Sequence, residues 1–214
     1  MATNTDALRT LIGTIVMSDA AQKVDFYLDK MHVDGSGLSY VALALASKPR
    51  GGRGLSIAVG GLGPHAEASY DPSTNTFKFP KVNYGTVPFE RMTIFHESVH
   101  VWRDSVGRTV ATSSGKVKTR DVSEEAAAFL AGALFFLYDA GPTSASDTTP
   151  TWAKGVYDNA LCLALQVAGQ SNPKGCNVND FNQIGVDALK EGIRKNRAYR
   201  GHLTGRYDNN GVRL

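Results

Sequence analysis

The first third of the chain passes from helical spacing of its apolar residues to strand spacing. Apolar residues recur every three or four positions from Asp6 to Met31, which predicts a helix with a break near Ser18. Ser39 to Ala46 alternates between larger apolar and small residues and predicts a strand, and Leu55 to Val59 predicts another. The chain is therefore expected to begin with helix and to continue into a sheet.

A turn signal lies between the next two apolar stretches, at Asp71 to Asn75. Its proline presets φ, and its Asp, Ser and Asn side chains can bond to the local backbone. Because Ala66 to Tyr70 precedes this turn and Thr76 to Phe79 follows it, the pattern predicts a β-hairpin. The sheet is thus expected to be small and mostly antiparallel.

The rest of the chain has helical spacing. Pro88 suits the first turn of a helix, where its missing N–H is not needed, and Gly107 suits a helix end. The pattern predicts four helices, over Phe89 to Ser105, Ser123 to Tyr138, Thr151 to Gln170, and Val178 to Tyr199.

Together these elements predict an α+β fold in a single domain over residues 1–214. Residues 39–138 form its core, with the sheet and the first two of the four helices. Residues 151–199 form a C-terminal helical portion that is expected to pack against those helices rather than to make a second domain.

Composition and charge argue against several function classes. The chain is 42% hydrophobic and 20% charged, without an apolar stretch long enough to span a bilayer. A net charge of +3 is too small to indicate a nucleic-acid partner. No signal-peptide pattern is visible, so a cytoplasmic protein is expected, with export by another route left open. Cys162 and Cys176 make no disulfide framework, and Cys162 is expected to pack as a small apolar residue.

The strongest chemical motif is His96-Glu97-Ser98-Val99-His100. This is the HExxH pattern, in which two histidines four residues apart lie on one face of a helix and can bind one metal ion. The glutamate between them can take a proton from a metal-bound water. The motif predicts a zinc site with His96 and His100 as ligands and Glu97 as general base.

A catalytic zinc usually takes three protein ligands, so the motif needs one more residue. The glycine and third histidine of HExxHxxGxxH sites are missing here, because Gly107 is misplaced for that pattern and no histidine follows until His202. A carboxylate on the next helix is the better candidate, and Glu124 and Glu125 both lie in its predicted first turn. We favour Glu125 because it lies slightly deeper in the helix, and Glu124 remains the alternative.

With these residues the chain resembles the gluzincins, the thermolysin-like superfamily of zinc metallopeptidases. The resemblance implies a zincin-like fold, with zinc bound by His96, His100 and a glutamate from the following helix, and with Glu97 as base. In thermolysin an aspartate follows the ligand glutamate by four residues and orients a ligand histidine. Here that position holds Phe129, and Asp104, one turn beyond His100, is a candidate for a similar supporting role.

The family also uses a His or Tyr to stabilise the transition state. The sequence leaves five candidates for that role: Tyr84, Tyr138, Tyr157, Tyr199 and His202.

The leading expectation is therefore a zinc metallopeptidase that hydrolyses peptide bonds in a peptide or protein substrate. One alternative keeps the zinc chemistry but directs it at another amide, as in a cell-wall hydrolase or a toxin-type effector. A further alternative is a zincin-like binding module without catalysis. The sequence does not indicate an oligomeric state.

Overall fold

The computed structural model describes residues 4–47, 54–62, 67–107, 122–141, 154–171, 173–196 and 199. In that part of the chain the helices are α1 (Asn4–Val16), α2 (Asp19–Gln22), α3 (Ser39–Ala46), α4 (Pro88–Gly107), α5 (Val122–Ala140), α6 (Lys154–Ala168) and α7 (Val178–Lys195). The strands are β1 (Asp25–Leu28), β2 (Met31–Asp34), β3 (Ser56–Val59), β4 (Ser69–Asp71), β5 (Thr76–Phe79) and β6 (Cys176–Asn177). The fold is α+β.

Two elements near the N-terminus differ from the prediction. The predicted helix ends early, and β1 and β2 form an antiparallel hairpin in its place. Phe26 and Leu28 point into the core while Tyr27 between them is exposed, so the true period is two. The predicted strand over Ser39–Ala46 is helix α3, because its alanines and leucines favour helix and a run of eight residues fits both periods.

The strands form two small sheets, each with three strands and mixed pairing. One has the order β2-β1-β6, with β1 antiparallel to β2 and parallel to β6. The other has the order β3-β5-β4 and contains the predicted hairpin, with Tyr70 of β4 opposite Phe77 of β5. Because β3 pairs with β5 in parallel, this sheet is mixed rather than mostly antiparallel.

The long helices follow the predicted pattern and pack around α5, which contacts α4, α6 and α7. Residues 125–137 of α5 are all buried, so this helix is covered on every side. The helices α4 and α5 run antiparallel, since Arg91 bonds to Asp139 at one end and His100 bonds to Glu124 at the other. None of the helices in the described ranges is long and apolar enough to cross a bilayer. Cys162 lies exposed on α6, contrary to the expectation that it is packed.

The β1–β2 hairpin is tied to the C-terminal helix through its turn. Asp29 has a left-handed backbone (φ 54°), and its carboxylate accepts hydrogen bonds from Lys190 at 2.8 Å and from Asn179 at 3.1 Å. Burial raises the pKa of Asp29, but the hydrogen bonds and the Lys190 charge outweigh it and lower the pKa below its ordinary value. The C-terminal portion is therefore part of the same packed unit as the hairpin.

The β4–β5 hairpin contains an ion pair between Asp71 and Lys78, whose contribution to stability depends on pH. Burial raises the pKa of Asp71, but hydrogen bonds from Ser73 and Lys78 and the Lys78 charge outweigh it and bring the pKa down to about 2. A lowered folded-state pKa stabilises the fold above the ordinary value of 3.8, and that stabilisation is lost as the pH falls toward 2.

We expect Lys78→Met to lower the free energy of unfolding by less than about 1 kcal/mol at pH 7, since the pair is partly exposed. The difference from the wild type should shrink between pH 4 and about 2, as measured by urea unfolding over that range. Lys174→Met, at an exposed site, is the control and should change stability little at any pH. A loss for Lys78→Met that does not depend on pH would contradict the ion-pair explanation.

Candidate metal centre

Two imidazoles from α4 form one side of a buried cluster. His96 and His100 lie one turn apart on the same face of the helix, and their Nε2 atoms are 3.3 Å apart. Their exposed fractions are 5% and 2%. The predicted helix thus places both motif histidines side by side in the interior.

A carboxylate from the first turn of α5 completes the group. Glu125, 2% exposed, has one oxygen 3.5 Å from His96 Nε2 and the other 3.5 Å from His100 Nε2. Close packing of the two helices makes this possible. A Cβ atom on Gly132 of α5 would lie 3.1 Å from the backbone oxygen of Met92, so glycine lets the helices approach.

The spacing of these three groups fits a metal ion. Zinc–ligand bonds of about 2.0–2.1 Å in a tetrahedron put neighbouring ligand atoms about 3.3–3.4 Å apart. The observed separations are 3.3 Å and 3.5 Å. Across the described ranges, His96, His100 and Glu125 form the one group of three such side chains close enough to share an ion. Two imidazoles and a carboxylate suit zinc and other divalent ions of the first transition row.

Glu97 lies beside this group with its two oxygens in different roles. Oε1 is 3.7 Å from His96 Nε2, on the side where an ion would lie. Oε2 accepts a hydrogen bond of 2.8 Å from the backbone N–H of Tyr70 in β4. The carboxylate is buried, and it is held by the neighbouring strand.

Glu124 lies behind His100 rather than within the group of three. Its Oε1 is 3.0 Å from His100 Nδ1. A carboxylate there favours the tautomer with the proton on Nδ1, which leaves the Nε2 lone pair free to bind a metal. The structure thus brings Glu125 to the metal-facing side of both histidines, and it gives Glu124 a supporting contact that the sequence did not reveal.

His96 is supported by an aromatic contact instead. Among the described residues its buried Nδ1 has no hydrogen-bond partner. The ring of Phe129 stands edge-on to the imidazole, with centroids 4.5 Å apart and planes at 67°. Phe129 therefore orients the imidazole by ring packing. It stands at the position where the resemblance implies an aspartate that would form a hydrogen bond.

The structure connects Asp104 to β4. Its Oδ2 accepts a hydrogen bond of 2.7 Å from the phenol of Tyr70, whose backbone N–H binds Glu97. Tyr70 was not among the residues that the sequence singled out. In the sequence, Tyr70 was only part of the predicted strand before a turn. That placement does not indicate contacts with residues 27 and 34 positions further along the chain.

Two of the five tyrosine and histidine candidates lie near the group. The rings of Tyr157 and Tyr199 both pack edge-on against Phe129, at 5.1 and 5.2 Å. Burial raises the pKa of both phenols, and the nearby charge of Glu97 raises them further, so both hydroxyls stay protonated donors. Tyr84 packs against Phe79, and Tyr138 lies near Lys23 at the far end of α5. His202 lies outside the described residues.

Comparison with known proteins identifies no relative. No protein-family model, no curated protein and no solved structure matches this chain. The resemblance to the gluzincins therefore rests on the sequence motif alone.

Alanine substitutions should separate the roles of the two glutamates. Glu125→Ala removes one of three ligands and should abolish stoichiometric metal binding. Glu124→Ala removes only the support of His100 and should weaken the metal about 10–100-fold. Affinity is measured for Zn²⁺ by competition with a chromophoric chelator. Glu191→Ala, on the exposed face of α7, is the control and should leave affinity unchanged. If Glu124→Ala is the more damaging change, the ligand assignment is wrong.

A side chain at Gly132, about two turns from Glu125 on the face of α5 that packs against α4, should also disturb the centre. Gly132→Val places methyl groups against Met92 and close to His96 Cβ, which a Cβ alone would approach to 3.5 Å. We expect a loss of about 1–3 kcal/mol in the free energy of unfolding, with weaker Zn²⁺ binding. Gly155→Val is the matched control because nothing lies within 4 Å of its added Cβ. Equal effects at the two positions would contradict the close-packing argument.

Proposed function

We propose that this protein is a zinc-dependent metallopeptidase that hydrolyses peptide bonds. The observation that supports this most directly is the buried group of His96, His100 and Glu125, with Glu97 beside it. Three protein ligands that leave a fourth position for water or substrate are typical of catalytic rather than structural zinc. The HExxH motif supports the same conclusion because its glutamate faces the ligand group.

In this proposal, a bound zinc ion supplies Lewis acidity and a water that ionises near neutral pH. Glu97 Oε1 accepts the proton of the attacking water and then delivers it to the leaving nitrogen. Glu124 keeps His100 in the tautomer that can bind metal. Burial of the group keeps bulk water away and strengthens each electrostatic contact within it.

A hydrogen-bond donor is also needed where negative charge develops on the substrate carbonyl oxygen. Tyr157 and Tyr199 are the candidates that this proposal retains, since both pack on Phe129 and both stay protonated. Tyr138 is set aside because it lies 13 residues along α5 from Glu125, or about 20 Å at 1.5 Å per residue.

The substrate is proposed to add as an extended strand at an edge of the β3-β5-β4 sheet. At the β4 edge, Glu97 already takes the place that a partner strand would occupy. The Tyr70 N–H already binds Glu97, and Pro72 has no N–H to offer. Main-chain pairing along β4 is therefore restricted around Tyr70.

The decisive experiment combines metal analysis with peptide cleavage. We expect about one zinc per chain in the purified protein, and cleavage of a fluorogenic peptide library that a chelator stops and added Zn²⁺ restores. Glu97→Gln should keep the zinc and lower turnover by at least about 100-fold, because the base is lost while the ligands remain. Zinc content is measured by mass spectrometry and turnover by fluorescence.

His96→Ala is the control for the metal, and it should lose both zinc and cleavage. Wild-type turnover by Glu97→Gln would contradict the mechanism. A well-folded wild-type protein without metal would contradict the function, and it would mean that His96 and His100 hydrogen-bond to each other. Bound zinc without cleavage of any library peptide, but with cleavage of another amide, would change the substrate class.

A further inference from the structure

Glu97 and Asp104 lie on one face of α4, seven residues or about two turns apart. β4 runs along this face and contacts both carboxylates through a single residue, Tyr70. Its backbone N–H binds Glu97 Oε2 at 2.8 Å, and its phenol binds Asp104 Oδ2 at 2.7 Å. All three residues are buried.

The two contacts act on different parts of the site. The N–H of Tyr70 decides which oxygen of Glu97 faces the ligands, because Oε2 is occupied and Oε1 lies 3.7 Å from His96 Nε2. The phenol contact fixes the position of that N–H, because it anchors β4 to α4 at a point two turns further along the helix. Asn75, fully buried with a left-handed backbone, lies 3.1 Å from the same phenol and supports its position.

A buried carboxylate is a costly way to anchor a strand. Desolvating the charge of Asp104 is unfavourable unless hydrogen bonds compensate, and an apolar contact would serve packing alone. A hydrogen bond to a charged acceptor is stronger and more directional than a neutral one. It therefore suits a contact that must hold the register between β4 and α4 closely.

We propose that Tyr70 and Asp104 are positioning residues that hold the general base Glu97 in place. Asp104 acts on Glu97 through Tyr70 and not through a ligand histidine. This inference rests on the proposed function, since it assigns a role to the base. It predicts that substitutions at Tyr70 and Asp104 weaken the contact between Glu97 and a bound molecule, while the metal ligands keep their positions.

The test uses the full-length protein loaded with Co²⁺ and the probe acetohydroxamate, whose binding to the metal is followed in the visible spectrum. A metal-bound hydroxamate presents a proton to Glu97, so its affinity reports the position of the base without any turnover. Tyr70→Phe should leave the spectrum of the free Co²⁺ protein unchanged and weaken acetohydroxamate about tenfold. Asp104→Ala should weaken it similarly, whereas Asp104→Asn keeps a neutral acceptor, which bonds the phenol more weakly than the carboxylate does, and should restore part of the affinity.

The control Tyr138→Phe removes a phenol at the far end of α5, and it should match the wild type. On any peptide that the wild type cleaves, Tyr70→Phe should lower kcat about tenfold and change KM little. If Tyr70→Phe lowers only the melting temperature and otherwise matches Tyr138→Phe, the contact is structural and the inference is overturned.

The two proposals can fail separately. A protein that binds Co²⁺ and acetohydroxamate but cleaves no peptide contradicts the proposed function, and the hydroxamate affinities still decide the positioning role. A wild-type protein that binds no metal overturns both.

Discussion

The close approach of α4 and α5 is the contact on which the rest of the structure depends. Two imidazoles and a carboxylate lie within 3.5 Å of one another in the interior, and each would be costly to bury alone. The helices can hold them together because Gly132 removes a side chain where Met92 approaches, and because the rings of Phe95 and Phe135 stack at 4.6 Å nearby. Apolar packing therefore sets the spacing of the polar group.

Around this contact, the two histidines are supported in different ways. His100 is oriented by a carboxylate, and His96 by the edge of an aromatic ring. A hydrogen bond selects one tautomer, whereas an aromatic contact limits ring rotation without selecting a proton position. The group thus combines one imidazole whose tautomer is set by a hydrogen bond with one whose orientation is set mainly by packing. Glu97 is supported from a third direction, by strand β4.

The site was largely predictable because its central parts are local patterns. The spacing of His96 and His100 follows from the helical period, and the position of Glu125 follows from a helix that begins with two carboxylates and continues with small residues. The roles of Glu124 and Tyr70 were not predictable. They depend on how α5 is rotated and on the register of β4 against α4, which no short stretch of sequence encodes.

The same distinction, between local patterns and long-range contacts, explains the errors in the predicted fold. Long helices have enough turns for their period to be unambiguous, and α4 to α7 all form where the pattern predicts them. Ser39–Ala46 has only eight residues, and burial of Val41, Ala44 and Leu45 on one face decides for helix. The β1–β2 hairpin depends on a left-handed Asp29, a conformation that the sequence pattern around it does not signal.

The burial of residues 125–137 of α5 places the candidate metal group within the packed interior. Glu125 lies on the helix that the other long helices surround, so no boundary separates the buried polar group from the packed core. Mutations that repack the interior are therefore expected to move the Glu125 carboxylate as well. Each buried position of α5 therefore carries two constraints, because the same side chains fill the interior and set the position of Glu125.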